Sequence, residues 1–390
     1  MTDLALRAPL AKLDRPLEAV RRFTPNWFAA TMGTGILAIA LSQLPGAAPA
    51  VRAAAEGLWI ANIGLFCLFS ALYGARWILF PREAGRVFSH PLMAMYFGCI
   101  PMGLATIVNG LLIFGQAHWG QGAVRAAEAL WLADAVLSVA CGLAIPYAMF
   151  TRQAHALEQM TAVWLLPVVA AEVAAVSGGL VAPLLVAPGE RLAVLAASYA
   201  LWGFSVPAAL SILAILLLRM ALHRLPPAAM AASSWLALGP IGTGALGLLT
   251  LGAAAPRVLT GPLSAYGEAA RAGGLVAALL LWGYGLWWMG LAAVITLRHL
   301  REGLPFNLGW WGYTFPLGVF AVTTLKLAGV LPAPGLAEAG RLLVMALAGV
   351  WLVVAARTAA GAWRGDLFVS PCLPQPDRLL ARNLDRDGRF

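Results

Sequence analysis

The sequence predicts an all-α integral membrane protein: ten transmembrane helices paired as five helical hairpins, with the odd-numbered helices enclosing a central pore. Three observations carry that prediction. The 390 residues are 61% hydrophobic and only 11% charged, against about 45–50% and about 25% in an average soluble domain. Ten apolar runs reach the ~20 residues that a helix needs to cross a bilayer. Lys and Arg gather on one side of those runs, as cytoplasmic loops require. A mean hydropathy of +0.81 agrees, and 41 Gly and 15 Trp suit membrane helices and their interfaces.

The runs cover roughly 24–44, 56–79, 91–115, 126–150, 160–185, 192–218, 230–251, 268–297, 309–330 and 340–363. The first follows a polar, basic stretch that lacks an apolar core and a cleavage site, so no leader is expected to be removed. It contains Met32-Gly33-Thr34-Gly35 and stops at Pro45-Gly46, and the second stops at Pro81. The third carries Pro101-Met102-Gly103, and the fourth holds Asp134 about two turns in. The fifth holds Pro167 and Glu172 and ends ahead of Pro188-Gly189, and the sixth, with Pro207, stops before Pro226-Pro227. The seventh carries Pro240-Ile241-Gly242. The ninth opens on the interfacial Trp310 and Trp311, carries Pro316-Leu317-Gly318 and ends at Pro332-Ala333-Pro334; the tenth runs into a basic tail. Pro and Gly at the loops are the expected breakers. The expected division is a cytoplasmic segment 1–22, a transmembrane domain 23–365 and a cytoplasmic tail 366–390.

Counting Lys and Arg on alternate sides gives nineteen on the side of both termini and six opposite, with Lys326 inside a span. Both termini are therefore expected in the cytoplasm of a cell inner (plasma) membrane, which needs an even number of spans. Odd helices run outward.

A repeat runs through those odd helices. Taking 33, 103, 169, 242 and 318 as equivalent points gives intervals of about one hairpin each. Pro101, Pro167, Pro240 and Pro316 are expected to bend their helices near mid-membrane, because proline removes a backbone hydrogen bond. Irregular backbone at that depth survives only against protein or a wet cavity, so the bent helices are expected to surround one cavity.

Polar groups on the odd spans are the candidate wall: Thr31, Thr34, Thr106, Asn109, Ser177, Thr243, Thr323 and Thr324, with Gly33, Gly242 and Gly318 opening space beside them. Hydroxyls can replace an anion's hydration without fixed charge, although a hydroxyl in a helix also bonds readily to its own carbonyl one turn back. Glu172 at a span centre is expensive if ionised and unpaired, and it reads either as a proton-coupling or pH-gating group or as a structural acid. Asp134 reads as a helix–helix bond. Lys326 either snorkels to the interface or draws anions into the outer mouth. Phe315, just before Pro316, is a lumenal plug or a packing residue.

Several classes are excluded. The four Cys show no paired spacing, so no disulfide framework or zinc knuckle is expected. All five His lie in loops or at span ends, which leaves no axial pair for haem and no metal site, and no cofactor is expected. No GxxxxGK[ST] loop occurs. The net charge of +9 is dispersed over loops, so nucleic acid is not an expected partner. A transporter or channel remains, with a membrane enzyme as the distant alternative.

Successive odd helices also carry a recognisable series: Phe23-Thr-Pro-Asn-Trp-Phe28, His90-Pro91 leading to Phe97-Gly-Cys-Ile-Pro-Met-Gly-Leu-Ala-Thr106, Trp164-Leu-Leu-Pro-Val-Val169 with Ser177-Gly-Gly179, Leu238-Gly-Pro-Ile-Gly-Thr-Gly244 and Trp310-Trp-Gly-Tyr-Thr-Phe-Pro-Leu-Gly318. The chain thereby resembles the tellurite-resistance/dicarboxylate transporter family, which includes slow anion channels and fungal sulfite and malic-acid permeases. The likeness is nearer to the sulfite and malate permease branch. It implies five hairpins around a pore, commonly three subunits with a pore each, and a pore-occluding phenylalanine that falls on Phe315. It also implies no kinase control through long tails.

The expected function is transport of small anions, sulfite-like oxyanions or C4-dicarboxylates such as malate, down their gradient or coupled to protons. The alternative is a gated slow-type channel for chloride or nitrate. The expected partners are the anion, membrane lipid and further copies of the chain as a trimer.

Overall fold

The computed structural model describes residues 9–373 and contains only helices and connecting turns among them. Of the basic residues used for orientation, Arg7, Arg378, Arg382, Arg386 and Arg389 lie outside the described residues, as does the tail reading for 374–390. Ten helices form the body: α1 (Ala29–Ser42), α2 (Pro49–Leu79), α3 (Cys99–Gly110), α4 (Gln121–Arg152), α5 (Leu166–Val181), α6 (Pro188–His223), α7 (Leu238–Val258), α8 (Ser264–Glu302), α9 (Thr314–Val330) and α10 (Leu336–Arg364).

Nine helical stretches among the described residues are long and apolar enough to cross a membrane. The exception is the first. Its α-helix runs 14 residues behind a tight turn, Pro25–Phe28, whose Pro and Asn lower its hydropathy. That segment is nonetheless core, since every residue from Ala29 to Ala40 is buried.

Burial separates two layers. The most apolar stretches of the helices containing α3, α5, α7 and α9 are 78–94% buried, whereas those of α2, α4, α6, α8 and α10 are only 22–33% buried. The outer helices present Ile78, Phe150, Leu218, Leu280 and Leu342 to the surroundings, the pattern of a lipid-facing shell. The inner helices form a closed ring: α1 packs on α3, α3 on α5, α5 on α7, α7 on α9 and α9 on α1. Each outer helix lies over its own inner helix and over the inner helix of the following hairpin.

The prolines have a different place from the one the sequence suggested. A 3₁₀ turn precedes each of α1, α3, α5 and α9, at Pro25–Phe28, Met93–Gly98, Ala162–Leu165 and Leu308–Tyr313. Pro101, Pro167, Pro240 and Pro316 then fall within the first three residues of their α-helices. There the missing N–H has no partner to lose and the fixed φ suits the helix. They mark the start of the α-helical half of each inner span; they are not bends in mid-helix.

The first and last described segments are stapled together at the side from which the inner helices start. Leu10 and Lys12 donate backbone hydrogen bonds to the carbonyls of Trp363 and Arg364, at 2.7 and 3.1 Å. Lys12 pairs with Asp366 at 2.5 Å, and Arg21 pairs with Glu83 at 2.7 Å. Arg76 is fully buried, donating to the Phe23 carbonyl and to the Ser370 hydroxyl.

Candidate functional site

The five inner helices line one cavity of about 80 Å³. Each contributes three residues at the same spacing, i, i+3 and i+7: Ile36, Ile39 and Gln43 from α1; Thr106, Asn109 and Ile113 from α3 and the turn that follows it; Val173, Val176 and Leu180 from α5; Thr243, Leu246 and Thr250 from α7; Val319, Val322 and Lys326 from α9. That spacing keeps side chains on one helical face, and seven residues rise about 10 Å. The wall therefore has three levels. Phe315, one turn below Val319 and 4% exposed, adds a ring at the inner end.

The chemistry changes along this axis. The innermost level holds Ile36, Val173 and Val319 with two hydroxyls, Thr106 and Thr243. Thr106 accepts from the Asn62 amide at 3.0 Å and donates to the Gly103 carbonyl at 2.7 Å, so its proton is committed. The Thr243 hydroxyl has no hydrogen-bond partner among the described residues. At the next level the buried side-chain carbonyl oxygen of Asn109 has no hydrogen-bond partner among the described residues. The outermost level is the most polar, with Gln43, Thr250 and Lys326.

Above it opens a vestibule of about 380 Å³, formed by the C-terminal ends of α3, α5, α7 and α9 and sharing Ile113, Leu180, Thr250 and Lys326 with the cavity. Helix C-termini carry partial negative charge, which repels anions. Lys326 and Arg257 stand at this mouth, and neither makes an ion pair among the described residues. These two basic side chains oppose the converging carbonyl ends at the entrance, and the two wall levels below them carry no charged side chain.

Five of the residues marked from the sequence line the cavity: Phe315, Thr106, Asn109, Thr243 and Lys326. The others are placed behind the wall. The Thr31 hydroxyl donates to the Phe28 carbonyl at 2.7 Å and packs against Gly103; Thr34 accepts from the Trp351 indole at 3.1 Å. Thr323 donates to the carbonyls of Val319 and Gly242, and Thr324 to that of Phe320. Gly33, Gly242 and Gly318 face Trp311, Phe320 and Ile36 respectively, so they let the inner helices approach one another and do not widen the lumen. Glu172, next to the wall residue Val173, is fully buried with one carboxyl oxygen near Gly244, and neither oxygen has a hydrogen-bond partner among the described residues. Asp134 is likewise buried without a partner among the described residues.

Reading the sequence for proline steps missed Gln43, Thr250 and Arg257. The available signal was the i, i+3, i+7 register itself, whose members are 36, 106, 173, 243 and 319. Against that register the Pro-x-Gly steps of α7 and α9 stand two residues out of step with that of α3. Among the described residues no group of three His, Cys, Asp or Glu side chains is placed to hold a metal.

The comparisons with known proteins decide what such an arrangement belongs to. A family model described as voltage-dependent anion channel matches residues 22–359, which takes in all five hairpins. The chain belongs to the voltage-dependent anion channel family. It is 38% identical over 355 residues to a sulfite efflux pump of Trichophyton rubrum, covering 90% of this chain and 93% of that protein. An uncharacterized transporter of Methanocaldococcus jannaschii is 28% identical over 361 residues, 92% of this chain and 99% of the relative. A malic acid transport protein of Schizosaccharomyces pombe is 23% identical over 367 residues, covering 91% and 81%. This member of the voltage-dependent anion channel family is thus a multi-pass membrane protein that transports anions, and it is not an enzyme.

Proposed function

We propose that the cavity between the odd helices is the anion path and that its cargo is a small oxyanion of the sulfite class. The observation that carries this reading is the wall. Three levels from five helices converge on one free hydroxyl, Thr243, and one free amide, Asn109, above the Phe315 ring. An anion entering from the vestibule meets Lys326 and Arg257, loses water along apolar side chains, and finds neutral donors at the narrow end. Weak neutral contacts favour passage, because a fixed cation deep in the path would hold the ion. The cavity has room for about two or three waters, which suits a four-heavy-atom oxyanion better than a nine-heavy-atom dicarboxylate. The sulfite efflux relative at 38% identity supports the same order.

In this reading Phe315 is the gate, and passage requires its ring to leave the axis. Thr31, Gly33, Thr34, Gly242, Gly318 and Thr323 shape the path from behind. Glu172 is the proton-responsive group, acting on Val173 and α7 from outside the lumen. Pro25–Ser42 makes the tenth crossing within a transmembrane domain 23–365. The side of the 3₁₀ turns faces the cytoplasm of a plasma membrane, in keeping with the bias of basic residues, and the working form is a trimer. Passive conduction of chloride or nitrate is the second reading, favoured by the channel members that give the family its name.

The test is flux into liposomes of purified protein, with sulfite, malate, nitrate and chloride offered separately, with and without a pH gradient. Sulfite is expected to move fastest. Equal or faster malate would remove the size argument, and voltage-driven chloride or nitrate currents that ignore the pH gradient would favour the second reading.

A further inference from the structure

Every outer helix carries one tryptophan whose indole N–H reaches the pore helix of the next hairpin. Trp59 of α2 donates to the Ile107 carbonyl in α3 at 3.3 Å, and Trp131 of α4 to the Ala174 carbonyl in α5 at 2.9 Å. Trp202 of α6 donates to the Gly244 carbonyl in α7 at 2.9 Å. Trp282 of α8 donates to the Thr324 hydroxyl in α9 at 2.9 Å, and Trp351 of α10 to the Thr34 hydroxyl in α1 at 3.1 Å. Together these bonds span all five junctions between neighbouring hairpins, including the one that closes the ring.

Their level matters as much as their number. Ile107, Ala174 and Gly244 directly follow Thr106, Val173 and Thr243, which form the innermost level of the wall. The three indoles sit in notches on those same helices: a Cβ added to Gly110, Gly178 or Gly247 would run into Trp59, Trp131 or Trp202. Helices in lipid gain nothing from excluding water against one another, so close packing and interhelical hydrogen bonds set their separation. An indole N–H left without an acceptor in hydrocarbon is costly. Each indole therefore holds the following inner helix at one distance, and five such distances around a ring fix its diameter.

We propose that these five tryptophans are positioning residues for anion selection: Trp59, Trp131 and Trp202 set the width of the path at its innermost level from outside it, Trp282 and Trp351 hold the two remaining junctions of the ring, and together they limit the largest anion that passes. None of them lines the cavity. The proposal rests on reading the cavity as the anion path.

Trp131→Phe and Trp202→Phe keep a ring in the notch and delete the N–H. Purified variants in liposomes would be compared for malate and sulfite flux, with melting temperature recorded and Trp287→Phe, an exposed ring on α8, as control. The malate-to-sulfite flux ratio is expected to rise about threefold or more in both latch variants, at a near-native melting temperature, and to stay fixed in the control. Gly247→Ala, which crowds the Trp202 ring, should also shift the ratio, and Trp59→Phe replaces either latch variant that does not fold. An unchanged ratio in folded variants, or an equal loss of both fluxes, overturns the proposal. If Thr243 and Phe315 variants alter flux while latch variants leave the ratio alone, the path stands and the proposal falls; if none of them alters anion flux, the path reading itself falls.

Discussion

The Asn62 side-chain amide donates to the Thr106 hydroxyl at 3.0 Å, from an outer helix into the cavity wall, while Thr106 gives its own proton to the Gly103 carbonyl at 2.7 Å and has none to offer an anion. Thr243, at the same level on α7, has no such partner. Two threonines that look alike in the sequence therefore have different chemistry.

Thr243→Val should lower sulfite flux by about tenfold, the size of one lost hydrogen bond to a charged group. Thr106→Val should change flux little. It leaves the buried Asn62 amide unpaired instead, at a cost of about 1–3 kcal/mol, seen as a lower melting temperature. Equal flux losses in the two variants would count against the assignment of the free donor.

Lys326→Gln and Arg257→Gln should each slow anion uptake at low ionic strength, with the difference shrinking as salt is raised through about 0.15 M, where charges are screened beyond about 8 Å. A salt-independent loss would mean that the side chains act in packing and not as an electrostatic mouth.

Glu172→Gln should flatten the dependence of transport on pH. Among the described residues the carboxyl is the one ionisable group on the inner helices directly behind the wall at the level of Val173. A pH profile identical to that of the unaltered protein would return Glu172 to a structural role.

The staple between the first and last described segments should loosen in acid. The Arg21 guanidinium holds the Glu83 carboxyl below its usual range, and Lys12 with Arg364 does the same for Asp366. A carboxylate whose folded pKa is lowered contributes stability above its unfolded pKa and loses it as the pH falls through the folded value. The protection of amides in residues 10–21 and 363–368, measured relative to the intrinsic exchange rate at each pH, should be high at neutral pH and fall below about pH 4. Protection that is unchanged down to about pH 3, or that is lost first above neutrality, would contradict this.

Much of this was legible in the sequence. The all-helical membrane body, the hairpin pairing and the inner position of the odd helices follow from hydropathy and period, because bilayer thickness acts on every span alike. The wall was half legible. Threonines at 31, 34, 106, 243 and 323 are equivalent as letters, but a turn of 100° per residue separates lumen from packing, and the phase of each helix is set by partners such as Phe28, Trp351 and the Gly242 carbonyl. Proline misled in the same way. Pro101 and Pro316 looked like kinks because the sequence does not mark where a 3₁₀ turn hands over to an α-helix.

If anions pass along the axis of the odd helices and the Phe315 ring closes it, sulfite flux through Phe315→Ala in liposomes must respond. Removing a buried aromatic costs about 3–5 kcal/mol, so folding is checked by melting temperature and the milder Phe315→Leu is measured beside it. Flux several-fold above the unaltered protein is expected for Ala, with an intermediate value for Leu. Folded variants whose flux equals or falls below the unaltered protein would contradict it.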